Sequence, residues 1–172
     1  MSLKPSEPLR SQALVLADVA AAGVRWFLGP EGDAASAAAA LKGVRVPIEG
    51  ATDMAFPLRE AVENAASAVA DAQRWGAGAD ARFAAMCASL RDGAKALALA
   101  AEVSGGARAQ ALIEAKRLAA EVERDRLRAR ADAHDSPFFV DSVKKDELAS
   151  RLSAAAEALH QACDALAGSL SE

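Results

Sequence analysis

Residues 147–170 read ELASRLSAAAEALHQACDALAGSL, and this stretch decides the fold. Leu148, Leu152, Leu159, Cys163, Leu166 and Leu170 recur at steps of three, four or seven residues. A helix turning about 100° per residue lines all six on one face, whereas a strand would scatter them over both faces. Asp141 or Ser142 is expected to cap this helix, and Gly168 to end it.

The same periodicity extends backwards through the chain. Phe83, Met86, Leu90, Ala94 and Leu97 form a stripe on a helix expected over about Asp80 to Glu102. Leu112, Ala115, Leu118 or Ala119, Val122 and Leu127 form another on a helix from Ala107 to about His134. Glycine and proline mark the remaining boundaries. One helix starts after Ser6 and stops at Gly29-Pro30, and a short one runs from Asp33 to about Lys42. Gly43 to Thr52 reads as a linker, and a further helix spans about Thr52 to Trp75, ended by Gly76 to Gly78. Short connections between long helices predict antiparallel neighbours in up-down order.

Composition agrees. Of 172 residues 47 are alanine, none is tyrosine, and aromatics make up 4%. Good helix formers dominate while β-branched and aromatic residues are scarce. The expectation is an all-α, up-down antiparallel bundle forming a single domain over 1–172. The net charge of −4 leaves no basic footprint for nucleic acid. Cys87 and Cys163 lie among alanines and read as small buried hydrophobes in a reducing compartment. The apolar stretch Ala13 to Leu28 carries Asp18 and Arg25, so the chain is expected to be cytoplasmic and not membrane-spanning. Trp26, Phe27 and Trp75 fall at helix ends, where aromatics cap a local core more often than they form a contact patch.

A repeat is visible at long period. Pro47 leads through Asp53 to Leu58, Ala65-Ala66 and Asp71-Ala72. Pro137 leads likewise through Asp146 to Leu148, Leu152, Ala155-Ala156 and Asp164-Ala165.

The candidate chemistry is thin. His134 and His160 lack the setting of a catalytic base, and Ser104-Gly105-Gly106-Ala107 lacks the spacing and lysine of a phosphate loop. The acidic run Glu121-Val122-Glu123-Arg124-Asp125 is more interesting. Glu121 and Asp125 stand one turn apart, about 5–6 Å between Cβ atoms, so they repel unless a cation lies between them. Helical bundles assemble carboxylate metal sites this way, and Glu157 and Asp164, flanking His160, are the candidates for the second side. The alternative is a solvated face neutralised by Arg117, Arg124, Arg126 and Arg128.

EVERDRL (Glu121–Leu127) is followed by the proline linker Asp135-Ser136-Pro137, by Lys144-Lys145-Asp146-Glu147-Leu148 to Leu152, and by Cys163-Asp164-Ala165-Leu166. In these motifs, over residues 82–170, the chain resembles the PhoU-like phosphate-transport regulators, in the branch associated with Pit-type phosphate permeases. Val46-Pro47-Ile48 through Asp53 to Asp71-Ala72 resembles the entry into the third helix of the family's first repeat. The resemblance implies two unequal three-helix repeats, 1–78 shortened and 79–172 nearly complete. It also implies iron or zinc held by Glu/Asp-x-x-x-Asp pairs, here Glu121 and Asp125. The set is depleted, with Gln161 between Glu157 and Asp164 where an acid is expected, and Ser67 between Glu63 and Asp71.

These readings converge on a non-enzymatic regulator or accessory protein of phosphate transport. It would act by contact with a protein partner such as a phosphate permease, with a degenerate metal site at Glu121, Asp125, Glu157 and Asp164. The competing expectation is a metal-free adaptor that self-associates as a homodimer. An enzyme using Glu121 and Asp125 as di-metal ligands is the third.

Overall fold

The computed structural model describes residues 6–29, 56–134 and 139–168. Within them lie five helices and no strand: α1 (Ser6–Leu28), α2 (Phe56–Arg74), α3 (Ala81–Glu102), α4 (Gly105–His134) and α5 (Phe139–Gly168). The chain is an all-α bundle. The expected short helix at Asp33, the Gly43 to Thr52 linker and the prolines leading the two repeat copies lie outside the described residues.

Local chemistry sets the ends. The Asp80 side chain accepts hydrogen bonds from the backbone N–H groups of Arg82 (3.0 Å) and Phe83 (3.3 Å), satisfying two donors that the first turn of α3 leaves open. α2 stops at Gly76, whose φ of +64° is a left-handed conformation that a side chain would oppose. Around it Gly76 N–H donates to the Gln73 carbonyl and Ala77 N–H to that of Ala72, the paired bonds of a Schellman end. α5 begins at Phe139, before the expected caps, so Asp141 sits inside its first turn, where a negative charge meets the positive end of the helix dipole.

All five helices share one core. Of the stripe on α5, Leu148, Leu152, Leu159, Cys163 and Leu166 are buried, as is every member of the α3 stripe. On α4, Leu112, Ala115, Ala119 and Val122 are buried, but Leu127 is 53% exposed, contrary to expectation. The step from Val122 to Leu127 is five residues, which carries Leu127 about 140° away from the stripe. Phe27 is buried with its ring centroid 5.3 Å from that of Phe83, and Trp26 and Trp75 pack partly buried against the core, so these aromatics cap it.

Packing departs from a simple up-down order. α3, α4 and α5 are successive antiparallel neighbours: Arg82 of α3 pairs with Asp132 late in α4, and Lys116 of α4 with Asp164 late in α5. α2 and α3, although joined by a short turn, do not pack along their length; α3 lies against α1, and α2 against α5. The turn crosses the end of the bundle. It is tied there by Trp26 Nε1–H donating to the Ala77 carbonyl (2.9 Å) and Asp80 N–H to that of Phe27 (3.0 Å). At the other end Arg10 of α1 pairs with Glu102 of α3, so α1 and α3 are antiparallel. Arg151 of α5 reaches Asp71 near the end of α2 at 3.1 Å, while the start of α5 reaches back to the turn through Lys145 and Asp80 (3.6 Å), making α2 and α5 antiparallel as well.

Glu7–Leu28, nearly the whole of α1, has the length and hydropathy to cross a bilayer, and half of that stretch is buried inside the bundle. The core helix of a bundle meets the same criterion.

Candidate functional site

The acidic run on α4 points in two directions. Lys116 and Glu123, two turns apart, both reach α5: Lys116 pairs with Asp164, and Glu123 accepts a hydrogen bond from the Ser153 hydroxyl. Asp125 stands two residues further on, about 160° around the helix axis from Glu123. It shares its face with Asp132, which pairs with Arg82 of α3. Glu121 and Asp125 therefore lie on the α3 flank, and Glu157 and Asp164 on the α4-facing edge of α5.

The four expected metal ligands are thus not brought together. Each of the α4 acids is neutralised locally, Glu121 by Arg117 and Arg124 (3.4 Å) and Asp125 by Arg128 (3.2 Å). Asp164 is held by Lys116, with His160 Nε2 at 3.6 Å. The Lys116 ammonium lowers the pKa of the Asp164 carboxyl. Among the described residues no group of three or more His, Cys, Asp or Glu side chains is placed to hold a metal ion. This donor set does not fit an iron or zinc centre, which needs several unpaired ligands converging on one point. In the first half, Asp71 is buried and occupied by Arg151 and by Arg74 (3.3 Å), while Glu63 pairs with Arg59 (2.9 Å).

Between α4 and α5 runs an open trough of about 320 Å³, lined by Ala119, Ala120, Glu123, Ser153, Ala156, Glu157 and His160. Three alanine methyls make its apolar floor. Arg126 grips Glu123 with two hydrogen bonds (2.8 and 2.7 Å). That pairing, reinforced by the Ser153 hydroxyl, lowers the pKa of the Glu123 carboxyl despite partial burial. Glu157, the other carboxylate in the lining, has no ion-pair or hydrogen-bond partner among the described residues.

Within the trough the sequence offers Glu157 as a candidate ligand with His160 beside it, while Ala119 and Ala156 fall in its apolar and repeat patterns. Glu123 lay inside the quoted acidic run but is assigned its role by phase: it shares the α5-facing side with Lys116, not with Glu121. Cys87 and Cys163 are free and buried, and burial pushes both thiols up to about 12, which leaves them poor nucleophiles.

Compared with family models, with curated proteins and with solved structures, the chain matches none. Its function is therefore argued from this geometry.

Proposed function

We propose that the chain is a non-enzymatic accessory bundle of phosphate transport that works by protein contact at the cytoplasmic face. The observation that carries this is the order of helix pairing. If the chain comprises two repeats, α1 and α2 are the outer helices of the first, and α3 and α5 those of the second. Repeat-equivalent helices then lie side by side, α1 on α3 and α2 on α5, each pair antiparallel. A twofold axis perpendicular to the helices generates that arrangement. It is the arrangement expected of two three-helix repeats, and it supports the likeness to PhoU-like regulators carried by EVERDRL and its following linker.

The chemistry of the residues agrees with contact as the mode of action. Glu121, Asp125 and Asp164 are ion-paired and the thiols buried, so the accessible surface offers shape and charge more than reactivity. Iron and zinc have no part in the reading, because the acids that would hold them diverge.

The test is direct binding to a Pit-type phosphate permease from the same organism, purified into lipid vesicles. Saturable binding with a changed rate of phosphate uptake is expected. No binding and unchanged uptake would remove the phosphate-transport reading and leave a helical adaptor.

A further inference from the structure

The outward side of α4 carries three residues spaced by seven: Ile113, Ala120 and Leu127. Ile113 is 67% and Leu127 53% exposed, and Ala120 between them lines the trough. Heptad spacing keeps all three within about 40° of one line, and the line spans about 21 Å. On α5 the matching line is Val143, Ser150, Glu157 and Asp164, with Val143 51% exposed. Because α4 and α5 are antiparallel, Ala120 falls opposite Glu157 at the middle of the trough. The surface therefore has an exposed apolar residue towards each end, a methyl-lined floor at its centre and, beside that floor, the Glu157 carboxylate, unpaired among the described residues.

We infer that this trough docks an amphipathic helix of a partner protein that carries a lysine or arginine at its middle. The aliphatic stem of such a side chain lies over Ala119, Ala120 and Ala156 while its charge meets Glu157. Apolar residues one heptad to either side cover Ile113 and Leu127. Charge decides against two other occupants. An anion would meet the carboxylate of Glu157. A second copy docked through the same face by a twofold axis at the middle of the trough would bring its own Glu157 against this one, and like charges so opposed are costly.

The inference deepens the contact reading above and depends on it, but not on the identity of the permease. The probe is a designed amphipathic peptide of about six helical turns. It carries leucines one heptad either side of a central lysine, and a second version has glutamate in place of that lysine. Binding to the full chain is followed by peptide fluorescence anisotropy and by amide chemical shifts. The lysine peptide is expected to shift resonances along 113–127 and 143–164 and to bind about tenfold more tightly than the glutamate peptide. Glu157→Lys, a change at an exposed side chain, should invert that preference. Equal binding of both peptides, shifts confined to another face, no binding, or self-association of the chain through this face would each overturn the inference. If the permease binds the native chain and Glu157→Lys equally, the trough assignment fails while the contact reading stands. If the peptide binds as expected but the permease does not, only the phosphate-transport reading fails.

Discussion

Two antiparallel helix pairs of this bundle use alanine to opposite ends. Between α1 and α3 the small residues close an interface. Ala13, Ala17 and Ala20 on one helix and Ala84, Ala94, Ala98 and Ala101 on the other are all buried, and Gly23 lies directly under Cys87. Between α4 and α5 the inner edge closes in the same way, but on the outer edge Ala119, Ala120 and Ala156 floor an open trough whose walls are Glu123, Ser153, Glu157 and His160. A methyl group fills space only when a neighbouring backbone comes close enough to meet it. The first pair is thus built for stability, and the second leaves a surface that another molecule can complete.

The sharpest way to break this contrast is at Gly23. A Cβ there would sit 2.6 Å from Cys87 Sγ and 3.1 Å from Val69 Cγ2. Gly23→Ala gains about 1 kcal/mol of helix propensity but overpacks the interface by more, for a net loss of about 1–2 kcal/mol by chemical denaturation. In a Cys87→Ala background, which removes the sulfur, the same substitution should become neutral or stabilising. A loss of the same size in both backgrounds would mean that the close approach of α1 to α3 is not what Gly23 serves.

Gly93 of α3 gives a milder comparison. Its Cβ would meet the end of the Leu159 side chain at 3.0 Å, with the Ala115 carbonyl and Leu118 Cβ at 3.4 Å. A terminal methyl can rotate aside, so Gly93→Ala should change stability by less than about 1 kcal/mol. A larger loss would place α3 against α4 and α5 as tightly as against α1.

Acid should weaken the α4–α5 edge. The carboxyls of Glu123 and Asp164 are held below their usual range in the folded chain, by Arg126 and Lys116 respectively. A depressed folded pKa contributes stability that is present above the unfolded value, about 4, and is lost as pH falls through the folded one. Both side chains are partly solvated, so the contribution is small and screened by salt. Glu123→Gln should lower the melting temperature slightly at neutral pH and flatten its fall below about pH 4, so that the two proteins converge in acid. An undiminished acid slope would show that this pairing does not contribute.

Smallest of all is the expected effect of filling the trough. Ala120 is exposed, so Ala120→Trp should shift stability by about 0.5 kcal/mol or less. A large destabilisation would mean that the trough belongs to the core.

Much of the fold was readable residue by residue. Helix phase is a local property, and it correctly placed Leu148 through Leu166 and the whole Phe83 to Leu97 stripe, while glycine marked the stop at Gly76. Leu127 failed where a five-residue step was accepted into a stripe of threes and fours. Neighbourhood was not legible: that α2 packs on α5 and not on α3 is decided by the Trp26 and Phe27 contacts that carry the turn across the bundle end. The candidate site suffered from the same limit. Glu121 and Asp125 do share one helical face, as their spacing requires, but only packing reveals that this face turns towards α3 while Glu157 and Asp164 look towards α4. The arginines able to neutralise the acids were visible in the sequence, and three of them, Arg117, Arg124 and Arg128, do so at Glu121 and Asp125.

The central claim is that the outer α4–α5 edge is the working surface of the bundle. Amide hydrogen exchange of the full chain, with and without a bound permease, tests it most directly. Protection gained along residues 113–127 and 143–164, with the α1–α3 interface unchanged, is the expected result. Protection gained elsewhere, with the trough exchanging as in the free chain, would contradict it.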